Sequence, residues 1–213
     1  DWVSNTLFAQ DYALDLDGSN DYVTIADDAS LTSTSAISIS AWFKKVSGSG
    51  WMSLVGKGTT DANEEYVLMV KDNQAYFDVG PGSGPYLQQN ATISPGIWHH
   101  IAAVHSRSSG TSTLKVYLNG QDIGGTTSGS GLTPNDNSHP VTIGSRFSSS
   151  NALFEGQIDE IRIWDDVRTQ AEIQNNMYNE LVGNESNLVA YYNFNNGRGT
   201  SVLDLTSNDN SGT

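Results

Sequence analysis

Asp15, Asp17, Asn20 and Asp21 place three carboxylates and an amide oxygen within seven residues. Such a hard-oxygen set suits calcium, which takes roughly six to eight oxygen ligands. The spacing is not that of an EF-hand, because Gly18 stands fourth from Asp15 where that loop needs a sixth-position glycine and a closing glutamate. Four local oxygens leave the shell incomplete, so a distant ligand must close it. Asp159 is the candidate: alternation from Gln157 to Trp164 puts it on the face of Ile161 and Ile163, pointing into the interior. An ionised carboxylate there needs a compensating partner. The competing assignment is an acidic turn closed by Asx hydrogen bonds, with Asp159 capping neighbouring backbone N–H groups.

A second set of residues suits sugar chemistry, in which aromatic rings stack on pyranose faces and polar groups fix orientation. Trp51 follows Ser47-Gly48-Ser49-Gly50, Tyr86 follows Gly80-Pro81-Gly82-Ser83-Gly84-Pro85, and Phe147 opens a serine-rich stretch. All three are candidates for display on loops, with core packing as the alternative. Arg146 and Arg198 are local cations that could act against the overall negative charge. Trp42, Trp98 and Trp164 lie inside strand patterns and are assigned to structure.

The elements that must position these groups are strands. Period-2 alternation recurs along the chain between small polar loops. Ile37–Phe43 and Leu114–Leu118 alternate cleanly, and Asn119-Gly120 after the second is a hairpin signal. Further strands are expected at 12–16, 22–25, 52–57, 66–70, 75–79, 99–105, 141–143, 157–164 and 189–194. Gly80 to Gly84, Gly124 to Gly131 and Ser145 to Asn151 read as loops. Thr169-Gln170-Ala171-Glu172 is a capping box, and Ile173 and Met177 are four apart, which predicts one short amphipathic helix over residues 170–178 at one end of a sandwich.

Length and composition agree with one all-β domain over 1–213, rich in turns: 213 residues, 37% hydrophobic, 16% charged and 21 glycines. Net charge is −14, with 24 acidic against 10 basic residues, so phosphate backbones and anionic membrane surfaces are repelled. Nucleic acid and membrane are therefore excluded as expected partners. The absence of cysteine excludes disulfides, thiolate metal sites and cysteine nucleophiles. No stretch is long and apolar enough to cross a membrane as a helix, and the start Asp1-Trp2-Val3 reads as a mature or excised piece.

Three blocks carry a family resemblance. Residues 13–23 (ALDLDGSNDYV), residues 156–164 (GQIDEIRIW) with the following helix, and residues 188–200 (LVAYYNFNNGRGT) running on to Asp204 and Asn210-Ser211-Gly212 occur in that order, with Trp98-His99-His100-Ile101-Ala102 between. Together the chain resembles the laminin-G-like, concanavalin A-like jelly-roll family of secreted bacterial proteins. The resemblance implies a two-sheet antiparallel sandwich. It also implies structural calcium between the opening loop and the late aspartate, with Asp17, Asn20, Asp21 and Asp159 as ligands. A related glucanase strand of the form Glu-x-Asp-x-(x)-Glu is not reproduced, because Gln157 stands at the first glutamate and Glu160 alternates to the other face from Asp159. His99, His100, His105 and His139 lack the basic cluster that a uronate lyase needs, and no Gly-x-Ser-x-Gly elbow is present. The expectation is a non-catalytic carbohydrate-binding module of a larger secreted protein, with Trp51, Tyr86, Phe147 and Arg146 at its ligand site. An adhesion module is the alternative, and a glycoside hydrolase or polysaccharide lyase comes third.

Overall fold

A computed structural model describes residues 2–5, 11–32, 35–46, 49–80, 86–128, 136–147, 151–197 and 199–213. The loops expected within 81–85, 129–131 and 148–150, the start of the loop before Trp51 and Arg198 lie outside the described residues. In chain order the strands are β1 (Trp2–Asn5), β2 (Asp11–Asp17), β3 (Val23–Ile25), β4 (Ala36–Lys45), β5 (Trp51–Lys57), β6 (Tyr66–Lys71) and β7 (Gln74–Val79). They continue with β8 (Tyr86–Asn90), β9 (His99–Ser108), β10 (Thr111–Leu118), β11 (Gln121–Ser128), β12 (Val141–Ile143), β13 (Glu155–Trp164) and β14 (Leu188–Tyr192), with helix α1 (Gln170–Asn176) before the last.

Two antiparallel sheets result. One runs β1-β2-β13-β4-β9-β10-β11 with β14 also on β13, and the other runs β3-β12-β5-β6-β7-β8. The alternating residues decide what lies between them. Ile37, Ile39, Ala41 and Phe43 of β4 meet Tyr66, Leu68 and Val70 of β6 and Ala75, Phe77 and Val79 of β7 in one apolar cluster. This is the jelly-roll sandwich expected from the sequence.

The hairpin signal is realised: Asn119 and Gly120 both have positive φ, 50° and 75°, as a type I′ turn requires, and join β10 to β11. β11 overturns part of one expectation, since its glycines pair through Ser128 instead of forming a loop from Gly124. Backbone pairing with β10 does not need side-chain propensity at a sheet edge. The capping box also forms. Glu172 N donates to Thr169 Oγ1 at 3.3 Å and Thr169 N donates to Glu172 Oε2 at 2.8 Å. The helix ends at Asn176, two residues earlier than expected, and Ile173 packs on Ala102, Val104 and Tyr117. Thus α1 covers the outer face of the eight-stranded sheet, while the outer face of the six-stranded sheet carries no helix among the described residues.

The alternation of β13 breaks at Glu160, whose φ is 52°. Pairing with β4 passes from Asp159↔Trp42 directly to Arg162↔Ser40, so a β-bulge inserts an extra residue. Before it, Ile158 faces the core; after it, Ile161 and Ile163 do. Asp159 is therefore not on the face of Ile161 and Ile163. It shares the outer face with its register partner Trp42, whose indole N–H donates to Met177 O at 2.7 Å.

Candidate functional site

The outer face of the six-stranded sheet is built by the residues that alternate away from the core. On β7 these are Gln74, Tyr76 and Asp78; on β8, by register, they are Asn90, Gln88 and Tyr86. On β6 they are Lys71, Met69 and Val67, with Trp51 opposite Lys71 on β5. Val67 and Met69 are buried although they point away from the core, and they form the apolar floor of this face.

Three aromatic rings cross it. Trp51 meets Tyr76 edge-on, with centroids 5.0 Å apart and planes at 78°, and Tyr76 stacks on Tyr86 at 5.7 Å and 21°. Trp51 is 39% exposed and Tyr86 56%, so both ends of the row reach solvent. The Lys71 ammonium lies 4.8 Å from the Trp51 ring centroid. Two of the aromatics expected from the sequence, Trp51 and Tyr86, are thereby brought together, and the sequence reading missed the ring that joins them. Its signal was the alternation of β7, which sends Tyr76 and Asp78 to the face opposite Ala75, Phe77 and Val79.

Polar groups flank the row on both sides. On one, Gln88 Nε2 donates to Gln74 Oε1 at 2.6 Å and Gln74 Nε2 donates to Asn90 Oδ1 at 3.3 Å, which forms an exposed amide ladder. On the other, the Tyr76 hydroxyl donates to Asp78 Oδ2 at 3.1 Å. Asp78 is 3% exposed and its Oδ1 has no hydrogen-bond partner. Burial, and then the neighbouring Glu64 charge, push its carboxyl up to about 7. The Tyr76 phenol is pushed upward too, first by burial and then by Asp78.

Arg146 is held close by. Its Nε donates to Glu64 Oε2 at 2.7 Å, and its Nη2 lies 3.1 Å from Glu64 Oε1 and 2.9 Å from Asp61 Oδ1. The segment reaches β5 because residue 56 is glycine: a Cβ there would come within 2.8 Å of Arg146 O. Burial raises the Glu64 carboxyl, while Arg146 acts in the opposite direction. Phe147, expected on display, is instead buried at 5% exposure. Arg146 N donates to Asn151 O at 2.8 Å, and the Arg146 guanidinium lies 5.1 Å from the Phe147 ring.

The acidic loop lies elsewhere. The Asp17 carboxylate accepts from Ser19 N at 2.7 Å and Asn20 N at 3.4 Å, and Asp21 Oδ2 accepts from Asp17 N at 3.4 Å, an Asx-type closure. Asp17 pairs with Glu155, four residues along β13 from Asp159, or about 13 Å at the rise of a strand. Asp159 Oδ1 accepts from Glu160 N at 2.8 Å. The structure therefore does not bring Asp159 to Asp17, Asn20 and Asp21. Among the described residues, no three histidine or acidic side chains form a group that could hold a metal ion.

Nor does β13 offer paired catalytic carboxylates. Glu160 is buried in an ion pair with Arg162 and accepts from the Tyr191 hydroxyl at 2.7 Å, while Arg162 also donates to Asn176 O at 2.8 Å. His100 is buried against Trp42, and burial, with the Arg162 charge behind it, lowers its imidazole to about 3. It sits in the floor under α1, beside a cavity of ≈ 20 Å³ that has room for one water.

The sequence profile of the laminin-G type, described as the concanavalin A-like lectin/glucanases superfamily, matches residues 17–174, and the chain belongs to that superfamily. No curated protein matches the chain by sequence. Among solved structures, a candidate carbohydrate-binding protein from Bacteroides ovatus aligns with TM-score 0.71 and 19% identity over 94% of this chain and 58% of its own. The chain thus spans little more than half of that relative. The CBM40 domain of a Ruminococcus gnavus IT-sialidase, solved with α2,3-sialyllactose, gives TM-score 0.66 and 15% identity over 76% of this chain and 95% of its own. The enzymatically active domain of tailspike protein 2 from bacteriophage CBA120 gives 0.67 and 14% over 93% and 32%. At these identities the likeness is one of fold, and the fold is shared by binding modules and enzyme chains.

Proposed function

We propose that this chain is a non-catalytic carbohydrate-binding module of a larger secreted protein, and that it takes a poly- or oligosaccharide on the outer face of the six-stranded sheet. The observation that carries this reading is the contiguous row Trp51–Tyr76–Tyr86, exposed at both ends and flanked by amide and carboxyl groups. Aromatic faces stack on the C–H faces of sugar rings, and the flanking groups read hydroxyl orientation. The carbohydrate-binding description of the Bacteroides ovatus protein and the CBM40 domain support the same ligand class. The burial of Glu160 against Arg162 supports a binding role over hydrolysis.

A glycan microarray followed by affinity electrophoresis in the retarding polysaccharide tests it. Trp51→Ala and Tyr86→Ala each remove an exposed ring, and each is expected to weaken binding by about tenfold, since one stacked ring contributes about 1 kcal/mol or more. Thermal unfolding should stay within a few degrees of the unmodified chain. Binding that is unchanged in both variants would place the ligand on another surface.

A further inference from the structure

Among the described residues, Asp78 is the one buried carboxylate on this face with an oxygen that has no hydrogen bond. A buried acceptor without a donor is costly in a folded protein, and such atoms are few. Here Oδ2 is satisfied by Tyr76 and Oδ1 is not. Asp78 lies directly beside the aromatic row: Tyr86 is its register partner on β8 and stacks on Tyr76, the ring that bonds Oδ2. A ligand lying on the row would reach the buried carboxyl if the exposed Tyr86 ring turned aside. Side-chain rotations of this kind are common on binding.

The charges around the carboxyl decide which sugars are accepted. Glu64 and Asp61 are both anionic, and the Arg146 guanidinium is shared between them. Lys71 sits on the Trp51 ring at the far end of the row. A uronate or sialate carboxylate brought to Asp78 would meet three acidic side chains and a guanidinium already engaged. A sugar hydroxyl meets Oδ1, an acceptor with no hydrogen bond of its own; the Val79 backbone N–H acts on the same carboxyl only as the last of the influences that lower it.

We propose that Asp78 Oδ1 accepts a hydroxyl of a neutral saccharide stacked on Tyr76 and Tyr86, so that Asp78 and its Glu64–Arg146 neighbours select uncharged over acidic glycans. This rests on the carbohydrate-binding reading of the same face. Its cost–benefit logic is that of a site built around a substrate hydroxyl, which discriminates strongly because an analogue lacking the group leaves a buried atom unpaired.

The test uses the chain with neutral probes (cello-, manno-, xylo- and arabino-oligosaccharides) and acidic ones (oligogalacturonate and sialyllactose), read by calorimetry at fixed salt and at pH 8, where the Asp78 carboxyl has released its proton. Three variants accompany it. Asp78→Asn keeps the size and the acceptor for Tyr76 but changes the other position from acceptor to donor; Tyr76→Phe keeps the ring and removes the hydroxyl; Tyr86→Ala removes the stacking ring. Each is first checked for folding by thermal unfolding. The expected result is binding of at least one neutral probe, no detectable binding of the acidic probes, and about a tenfold loss in Asp78→Asn, the size expected when one hydrogen bond is removed and a buried group left unpaired. Preferred binding of an acidic probe, or neutral binding that Tyr86→Ala abolishes and Asp78→Asn leaves intact, overturns the role of Asp78 while leaving the aromatic face as the site. Binding of no probe, or binding indifferent to Tyr86→Ala, overturns both.

Discussion

Asp78 and Tyr76 face outward from a strand whose alternate residues Ala75, Phe77 and Val79 are core, and that alternation places a carboxyl in surroundings that oppose its charge. The consequence for stability is specific. Burial and the Glu64 charge hold the folded carboxyl up to about 7, against an ordinary 3.8, with the Tyr76 hydroxyl, Arg146 and the Val79 backbone N–H acting in the other direction. Between about pH 4 and 7 the folded state keeps a proton that the unfolded chain has released, so stability falls as pH rises through that window, and the loss is complete above it. Asp78→Asn cannot ionise and escapes this loss. It is expected to equal the unmodified chain near pH 4 and to be more stable at pH 8 by about 1–3 kcal/mol in urea unfolding. His100 and His105, lowered by burial to about 3 and 4, act oppositely, because the unfolded chain takes up protons below about pH 6.5 that the folded chain refuses. They are the same in both proteins and cancel in the difference. Equal pH profiles for the two proteins would show that Asp78 is ionised at little cost in the fold.

At the scale of elements, β13 shows what one residue out of register does. The period-2 pattern of 157–164 is plain in the sequence, yet the left-handed Glu160 divides it, so that Ile158 and Ile161 both face the core and Asp159 turns away with Trp42. The bulge also lets β13 change neighbours, pairing with β2 up to Ile158 and with β14 from Ile161. Glu160 is then locked by Arg162 and Tyr191, which bond Asn176 at the end of the helix and Asn179 and Leu181 after it, and the ion pair is buried at both ends. Removing one partner of such a pair leaves the other charge without compensation. Glu160→Ala is expected to lose about 3–5 kcal/mol in denaturant unfolding, and Glu160→Gln, which keeps acceptors for Arg162 and Tyr191, distinctly less. An equal and small loss would mean that Arg162 is held by the helix-end carbonyls alone. The strands, the hairpin and the capped helix were legible because each has a local signature in periodicity, Asn-Gly or Thr-x-x-Glu. The bulge was not, because Glu160 is a poor sequence marker for positive φ and the cause lies in the neighbouring strands. β8 was missed for a related reason: its Leu-Gln-Gln-Asn stretch has little strand propensity and takes its form from β7.

For the molecule as a whole, the layout of the sheets separates the two acidic features that composition alone would join. Trp51 and Tyr86 were legible as displayed rings and meet through Tyr76. Asp17, Asn20 and Asp21 were legible as an acidic loop, but β13 carries Asp159 about 13 Å further along and onto the face covered by the α1 region. A net charge of −14 makes any divalent cation weakly stabilising through general screening, so calcium effects must be read against magnesium at constant ionic strength. Under those conditions a single ion shared by the loop and Asp159 would lose its contribution on removal of either. The structure leads to a different expectation: any rise in melting temperature with calcium over chelator is the same in Asp159→Asn as in the unmodified chain, and only Asp17→Asn or Asp21→Asn alters it. Loss of the calcium response in Asp159→Asn, with the fold intact by circular dichroism, would mean that β13 and the opening loop approach each other in solution more closely than their register allows.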